Sequence, residues 1–178
     1  DVSGAATVTD LNVIIDITHT YTGDLDIILV PPSGDRYVHL TSDSGGLGDN
    51  FTFTRFDQAS SLLISAGVAP AVAPFNGTFA PEGGDIAWRA AASIPLPGFS
   101  LAGLDDFIGS NPNGTWTLII DDDAGGDSGT LNYFSIELNG AVDSNGPAFG
   151  TPPTATGAAS PTTVPNDGTG VTTLTVTV

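Results

Sequence analysis

The segment Thr115–Leu138, TWTLIIDDDAGGDSGTLNYFSIEL, sets two apolar runs of period two on either side of a turn carrying four aspartates. Trp116, Leu118 and Ile120 share one face of the first run, and Phe134, Ile136 and Leu138 share one face of the second. Side chains alternate across a strand, so each run reads as a strand with its apolar face toward a core. The alternation recurs in Leu11–Thr20 (LNVIIDITHT), where Leu11, Val13, Ile15 and Ile17 line up, and Leu25–Val30 (LDIILV) follows at once. Pro31–Asp35 (PPSGD) is turn chemistry, and a strand over Arg36–Thr41 returns from it. No segment carries a 3.6-residue period; Leu101–Ile108 has room for one short helical turn. These signals predict an all-β chain folded as an antiparallel β-sandwich of about eight strands, of jelly-roll type, with DDDAGGDSGTL (Asp121–Leu131) as a hairpin loop.

Composition narrows the partners. Twenty acidic residues face three basic ones, Arg36, Arg55 and Arg89, for a net charge of −17 in 178 residues. With no basic patch to release phosphate counterions, a nucleic-acid partner is excluded, and an anionic membrane surface suits the chain no better. Eighteen of the acids are Asp, the short carboxylate that suits turns and hard-cation cages. The absence of cysteine removes disulfides and thiolate metal sites. No apolar run reaches the length of a membrane span, and the chain opens on Asp1 without signal-peptide features, as expected of a segment excised from something longer.

Composition shifts after Gly140. Residues 141–170 are rich in Pro, Gly, Ala, Ser and Thr, as a linker would be, and Val171–Val178 (VTTLTVTV) reads as the truncated start of a following β domain of immunoglobulin-like type.

Three strings then add up to a family. His19–Leu40 (HTYTGDLDIILVPPSGDRYVHL), Gly45–Asp57 (GGLGDNFTFTRFD) and Asn111–Leu138 (NPNGTWTLIIDDDAGGDSGTLNYFSIEL) resemble the P domain, or Homo B domain, of proprotein convertases and bacterial subtilisin-like serine proteases. The resemblance covers nearly all of residues 5–140, so a P domain is expected over 1–140. It implies a jelly-roll sandwich lying C-terminal to a subtilisin-like catalytic domain of the same chain, stabilising that domain and having no active site of its own. One stretch departs from the family pattern: Gly83–Ser100 (GGDIAWRAAASIPLPGFS) is longer than the usual link, and its Ile86, Trp88, Ile94, Leu96 and Phe99 are expected to pack on their own domain, the alternative being contact with a partner.

Catalytic motifs are missing from the sequence. There is neither a G-x-S-x-G elbow nor a Gly-Thr-Ser nucleophile motif, and the two histidines, His19 and His39, sit at strand positions that favour structural roles. The aspartates lie in glycine-rich turns, where desolvation too weak to raise a carboxyl pKa argues against a glycosidase pair.

Those same turns suit a divalent cation. Asp121, Asp123 and Asp127 occupy positions one, three and seven of their loop with Gly126 at six, but Asn132 stands where an EF-hand would place its bidentate Glu. Ser42–Asn50 (SDSGGLGDN) adds Asp43 and Asp49, Asp57 follows one strand later, and Asp24 begins the strand leading there. Strand order puts Asp24 and the Ser42–Asn50 loop at one end of the sandwich and leaves the end occupied by the Asp121–Asp127 loop undecided. Calcium accepts six to eight oxygens from flexible loops and cancels their mutual repulsion, which makes these seven aspartates candidate calcium ligands, against the plainer readings of a solvated acidic turn and, for Asp24, of a turn cap.

The expected function is therefore that of a non-catalytic, calcium-binding accessory domain of an exported, secreted or cell-surface, subtilisin-like protease. Two alternatives stand beside it: a glycan- or matrix-binding sandwich with Trp88, Tyr21 and Tyr37 as stacking residues, and a structural spacer in a long surface protein.

Overall fold

The computed structural model describes residues 7–64, 73–84, 96 and 98–139, together with the backbone of 163–164 and 171–175. Ten strands among the described residues fall into two sheets: β1 (Leu11–His19), β2 (Leu25–Val30), β3 (Arg36–Ser42), β4 (Phe51–Asp57), β5 (Thr78–Phe79), β6 (Phe99–Ser100), β7 (Thr117–Asp122), β8 (Gly129–Leu138), β9 (Thr163–Val164) and β10 (Val171–Thr175). The first sheet runs β5-β4-β1-β8-β9 and the second β10-β7-β2-β3-β6. The first eight strands pair as a chain rolled up from its ends, β1 with β8, β2 with β7, β3 with β6 and β4 with β5. The β3–β6 and β4–β5 pairs are parallel and short. Among the described residues, helical structure is limited to 3-10 turns at Thr22–Asp24 and Leu104–Phe107, the latter inside the stretch read as one short turn.

The alternation read from sequence builds the core. Val13, Ile15 and Ile17 of β1 and Phe134 of β8 meet Leu25, Ile27 and Leu29 of β2 and Leu118 and Ile120 of β7 between the sheets. Trp116 closes one end of that core, its Nε1–H donating to Pro112 O at 3.0 Å and its ring edge-on to Phe107 with centroids 5.3 Å apart.

The second sheet is also buried on its outer face. Ile28, Val30, Tyr37 and Ile119 form a separate apolar cluster there, joined by Leu96 from the Gly83–Ser100 stretch. Leu96 thus packs on a sheet face of its own domain as expected. Phe99 does not: it is 58% exposed, with the Arg36 guanidinium 5.9 Å from its ring centroid. Ile86, Trp88 and Ile94 lie outside the described residues.

One expectation needs revising. DDDAGGDSGTL is not a hairpin loop, because β7 pairs with β2 and β8 with β1; residues 123–128 cross from one sheet to the other. Period-two strands joined by a short polar turn leave open whether they pair or arch across a core, and here the inward apolar faces of both are used against each other. Val171–Thr175 lies antiparallel on β7, in register from Val171 opposite Asp121 to Thr175 opposite Thr117, where it covers an edge that would otherwise be open.

Candidate metal centre

The segments after β1, after β3 and after β7 meet at one end of the sandwich. β1 reaches it at His19, β2 leaves it at Leu25, β3 enters it at Ser42, and β7 enters it opposite β2, with Asp26 facing Asp121 and Leu25 facing Asp122. Side-chain alternation then sorts the aspartates. Asp122 turns inward, where the fully buried His19 donates from Nε2 to Asp122 Oδ2 at 3.3 Å, linking the two sheets. Asp26 and Asp121 turn to the outer face of the second sheet.

That outer pair is the electrostatic problem of the fold. Asp26 and Asp121 are direct cross-strand neighbours, 1% and 3% exposed, in a sheet where like charges placed opposite each other destabilise. Asp43 and Asp123 close on the same spot: one carboxylate oxygen each of Asp26, Asp43 and Asp123 lies within 4.8 Å of the other two. Calcium–oxygen distances of about 2.3–2.6 Å put coordinated oxygens at most about 5 Å apart, so three oxygens at this spacing can reach one ion. Asp26 Oδ1 accepts from the Ser42 hydroxyl, while its buried Oδ2 has no hydrogen-bond partner. Burial pushes the Asp26 carboxyl up to about 7 against the pull of Ser42, and Asp43, Asp123 and Asp121 push the same way.

The backbone delivers these groups. Asp123 N–H donates to Asp24 O at 3.0 Å and Asp43 N–H to Leu25 O at 3.2 Å, which ties the β7–β8 crossing and the loop after β3 to the start of β2. Thr22 N–H donates to Gly48 O at 2.7 Å, adding a second tie to that loop. Asp43 sits at φ 48°, in the left-handed region that Asp tolerates better than most residues.

The seven sequence candidates separate accordingly. Asp43 and Asp123 belong to the cluster, and Asp121 stands beside it on β7. Asp24 is buried at the same end, its carboxyl raised by burial and then by Asp122 and Asp127; Asp127, half-buried, accepts from Thr20 Oγ1 at 2.7 Å. Asp49 is exposed on the loop after β3. Asp57 is elsewhere: it lies opposite Asn12, toward the far end of β1, and accepts from Arg55, whose Nε also donates to Glu137 at 3.0 Å. Asp26 was missed because it sits inside an apolar run, LDIILV, and reads as an ordinary polar residue of a half-buried strand. The signal was present in the sequence, since the outer positions of β2 are Asp26, Ile28 and Val30, apolar enough to predict that this face too is covered.

Of the proposed stacking residues, Tyr37 is 5% exposed within the outer apolar cluster, edge-on to His39, and has no face free for a sugar. Tyr21 is half-buried, and Trp88 lies outside the described residues. No helix among the described residues is long and apolar enough to cross a membrane.

No curated protein and no solved structure matches the chain. The family model of the proprotein convertase P-domain matches residues 8–61 and 91–138, more than half of the sequence, and skips 62–90. The unmatched stretch begins earlier than the departure noted at Gly83–Ser100. With β1 to β4 and β6 to β8 inside the matched residues, this chain belongs to the proprotein convertase P-domain family, accessory domains of subtilisin-like proteases.

Proposed function

We propose that this chain is a calcium-stabilised accessory domain of a secreted or cell-surface subtilisin-like serine protease, acting by holding a loop end of fixed shape for the neighbouring catalytic domain. The observation that carries the calcium reading is the buried, unpartnered Oδ2 of Asp26 in a cluster with Asp43 and Asp123. A carboxylate so placed stays ionised only beside a positive charge, and the described residues hold Arg36 beside Asp35 and Arg55 beside Asp57 and Glu137, neither in the cluster. A hard cation fits oxygen-only donors on flexible loops, and calcium tolerates the irregular geometry that magnesium does not. Asp26, Asp43 and Asp123 would hold it, with Asp121 adding negative charge alongside.

Calcium would tie β2, the loop after β3 and the β7–β8 crossing together, three segments far apart in sequence. An ion that binds only the folded state at a hundred times its Kd stabilises by about 2.7 kcal/mol. Thermal unfolding in chelator and in millimolar calcium at matched ionic strength tests the reading. Calcium is expected to raise the melting temperature by several degrees and magnesium to raise it less; identical curves in chelator and calcium would refute the metal assignment.

A further inference from the structure

Residues 73–84 lie outside the family match, yet they supply contacts that shape the loop carrying Asp43. Glu82 reaches that loop from 40 positions away: its Oε2 accepts from Ser42 N–H at 2.9 Å and its Oε1 accepts from the Ser44 hydroxyl. The two donors flank Asp43, so one carboxylate brackets the residue from both sides. Glu82 is itself fixed along β3, its N–H donating to Leu40 O at 3.1 Å and Gly83 N–H to His39 O at 3.0 Å.

The same segment floors the loop. Gly45, at φ +98°, lies so close to the Phe75 ring that a Cβ would stand 2.5 Å from Phe75 Cζ, and one at Gly48 would stand 2.4 Å from Ala73 Cβ. Phe75 N–H donates to Asn50 O at 3.0 Å, and Phe75 O accepts from Thr52 N–H at 2.8 Å. Three glycines in eight residues make residues 43–50 costly to order, and these contacts order them in advance.

We infer that residues 73–84 are a brace for the cation site, with Glu82 the positioning residue that holds Asp43 toward Asp26 and Asp123. Both Glu82 oxygens are engaged by the loop, so its part is to orient a ligand. The inference rests on the calcium reading above and deepens it: the affinity of the site is set by residues that lie outside the family match. Groups that orient metal ligands without touching the ion are commonly worth about 10–100-fold in affinity.

The test is calorimetric titration of calcium into the whole chain after chelator treatment, for wild type, Glu82→Asp, Ser44→Ala and Phe107→Leu. Glu82→Asp keeps the charge but falls short of Ser42 and Ser44; it is expected to weaken calcium binding about tenfold, and Ser44→Ala, which removes one arm, several-fold. Phe107→Leu loosens the core at a fully buried site away from the loop and should leave the calcium Kd unchanged, which separates positioning from general destabilisation. Wild-type binding with Glu82→Asp and Ser44→Ala both within twofold of it would overturn the brace and spare the calcium reading. If Glu82→Asp does not fold, Ser44→Ala decides alone. Absence of calcium binding by the wild type would overturn the calcium reading and the brace with it.

Discussion

Replacing Asp26 by Asn asks whether the loop end is a strained anionic cluster awaiting a cation. The Asp26 carboxyl stands at about 7 in the folded chain against 3.8 for an ordinary aspartate. The folded state therefore holds a proton that the unfolded chain has already released, and stability falls as pH rises from about 4 until the folded group ionises near 7. That difference corresponds to about 4 kcal/mol at pH 8, all of it absent from a neutral Asn. Asn Oδ1 can still accept from Ser42, and its amide can donate toward Asp43 or Asp123. In chelator at pH 8, Asp26→Asn should thus melt above wild type by up to about 16 °C, at the roughly 2–4 °C per kcal/mol of a domain this size. Between pH 5 and 8 the variant's melting temperature should fall less steeply than wild type, and added calcium should barely move it. Scanning calorimetry across this pH series in chelator and in calcium reads all three. An Asp26→Asn variant less stable than wild type in chelator at pH 8 would refute the reasoning, since it would mean that the charged carboxylate is satisfied without a metal.

Other outcomes follow from single contacts. Asp57→Asn removes an acceptor of Arg55 far from the cluster and should cost at most about 1 kcal/mol while leaving calcium affinity, by titration, at the wild-type value. Phe107→Ala empties a fully buried site against Trp116 and should cost about 3–5 kcal/mol in denaturant unfolding. Gly98→Ala would push a Cβ to 1.6 Å from Asp35 O at φ +68°, and hydrogen exchange should show the β3–β6 pairing loosened. The purified chain should show no peptidase activity, and stoichiometric reaction with a serine-directed active-site label would contradict its accessory role.

The strands were legible because each has one face on a single core, which imposes a two-residue period on Leu11–Ile17, Trp116–Ile120 and Phe134–Leu138. Their sheet membership was not, since a polar turn between two such strands is the same chemistry whether they pair or arch. The site was half legible. Asp43 and Asp123 sit in glycine-rich turns that advertise themselves, whereas Asp26 is hidden in LDIILV and its neighbours arrive only through pairing with β3 and β7. Asp57 stands apart from the cluster because sequence proximity to the loop stands in for spatial proximity only until a strand, β4, carries the chain to the other end. Glu82 gave no signal at all, its partners being 40 and 38 positions away.

The most direct test is a crystal structure of the chain grown in calcium, with anomalous differences used to locate the ion. The account predicts one peak at about 2.3–2.6 Å from carboxylate oxygens of Asp26, Asp43 and Asp123. Well-ordered density for those three residues with no peak among them, at millimolar calcium, would contradict it.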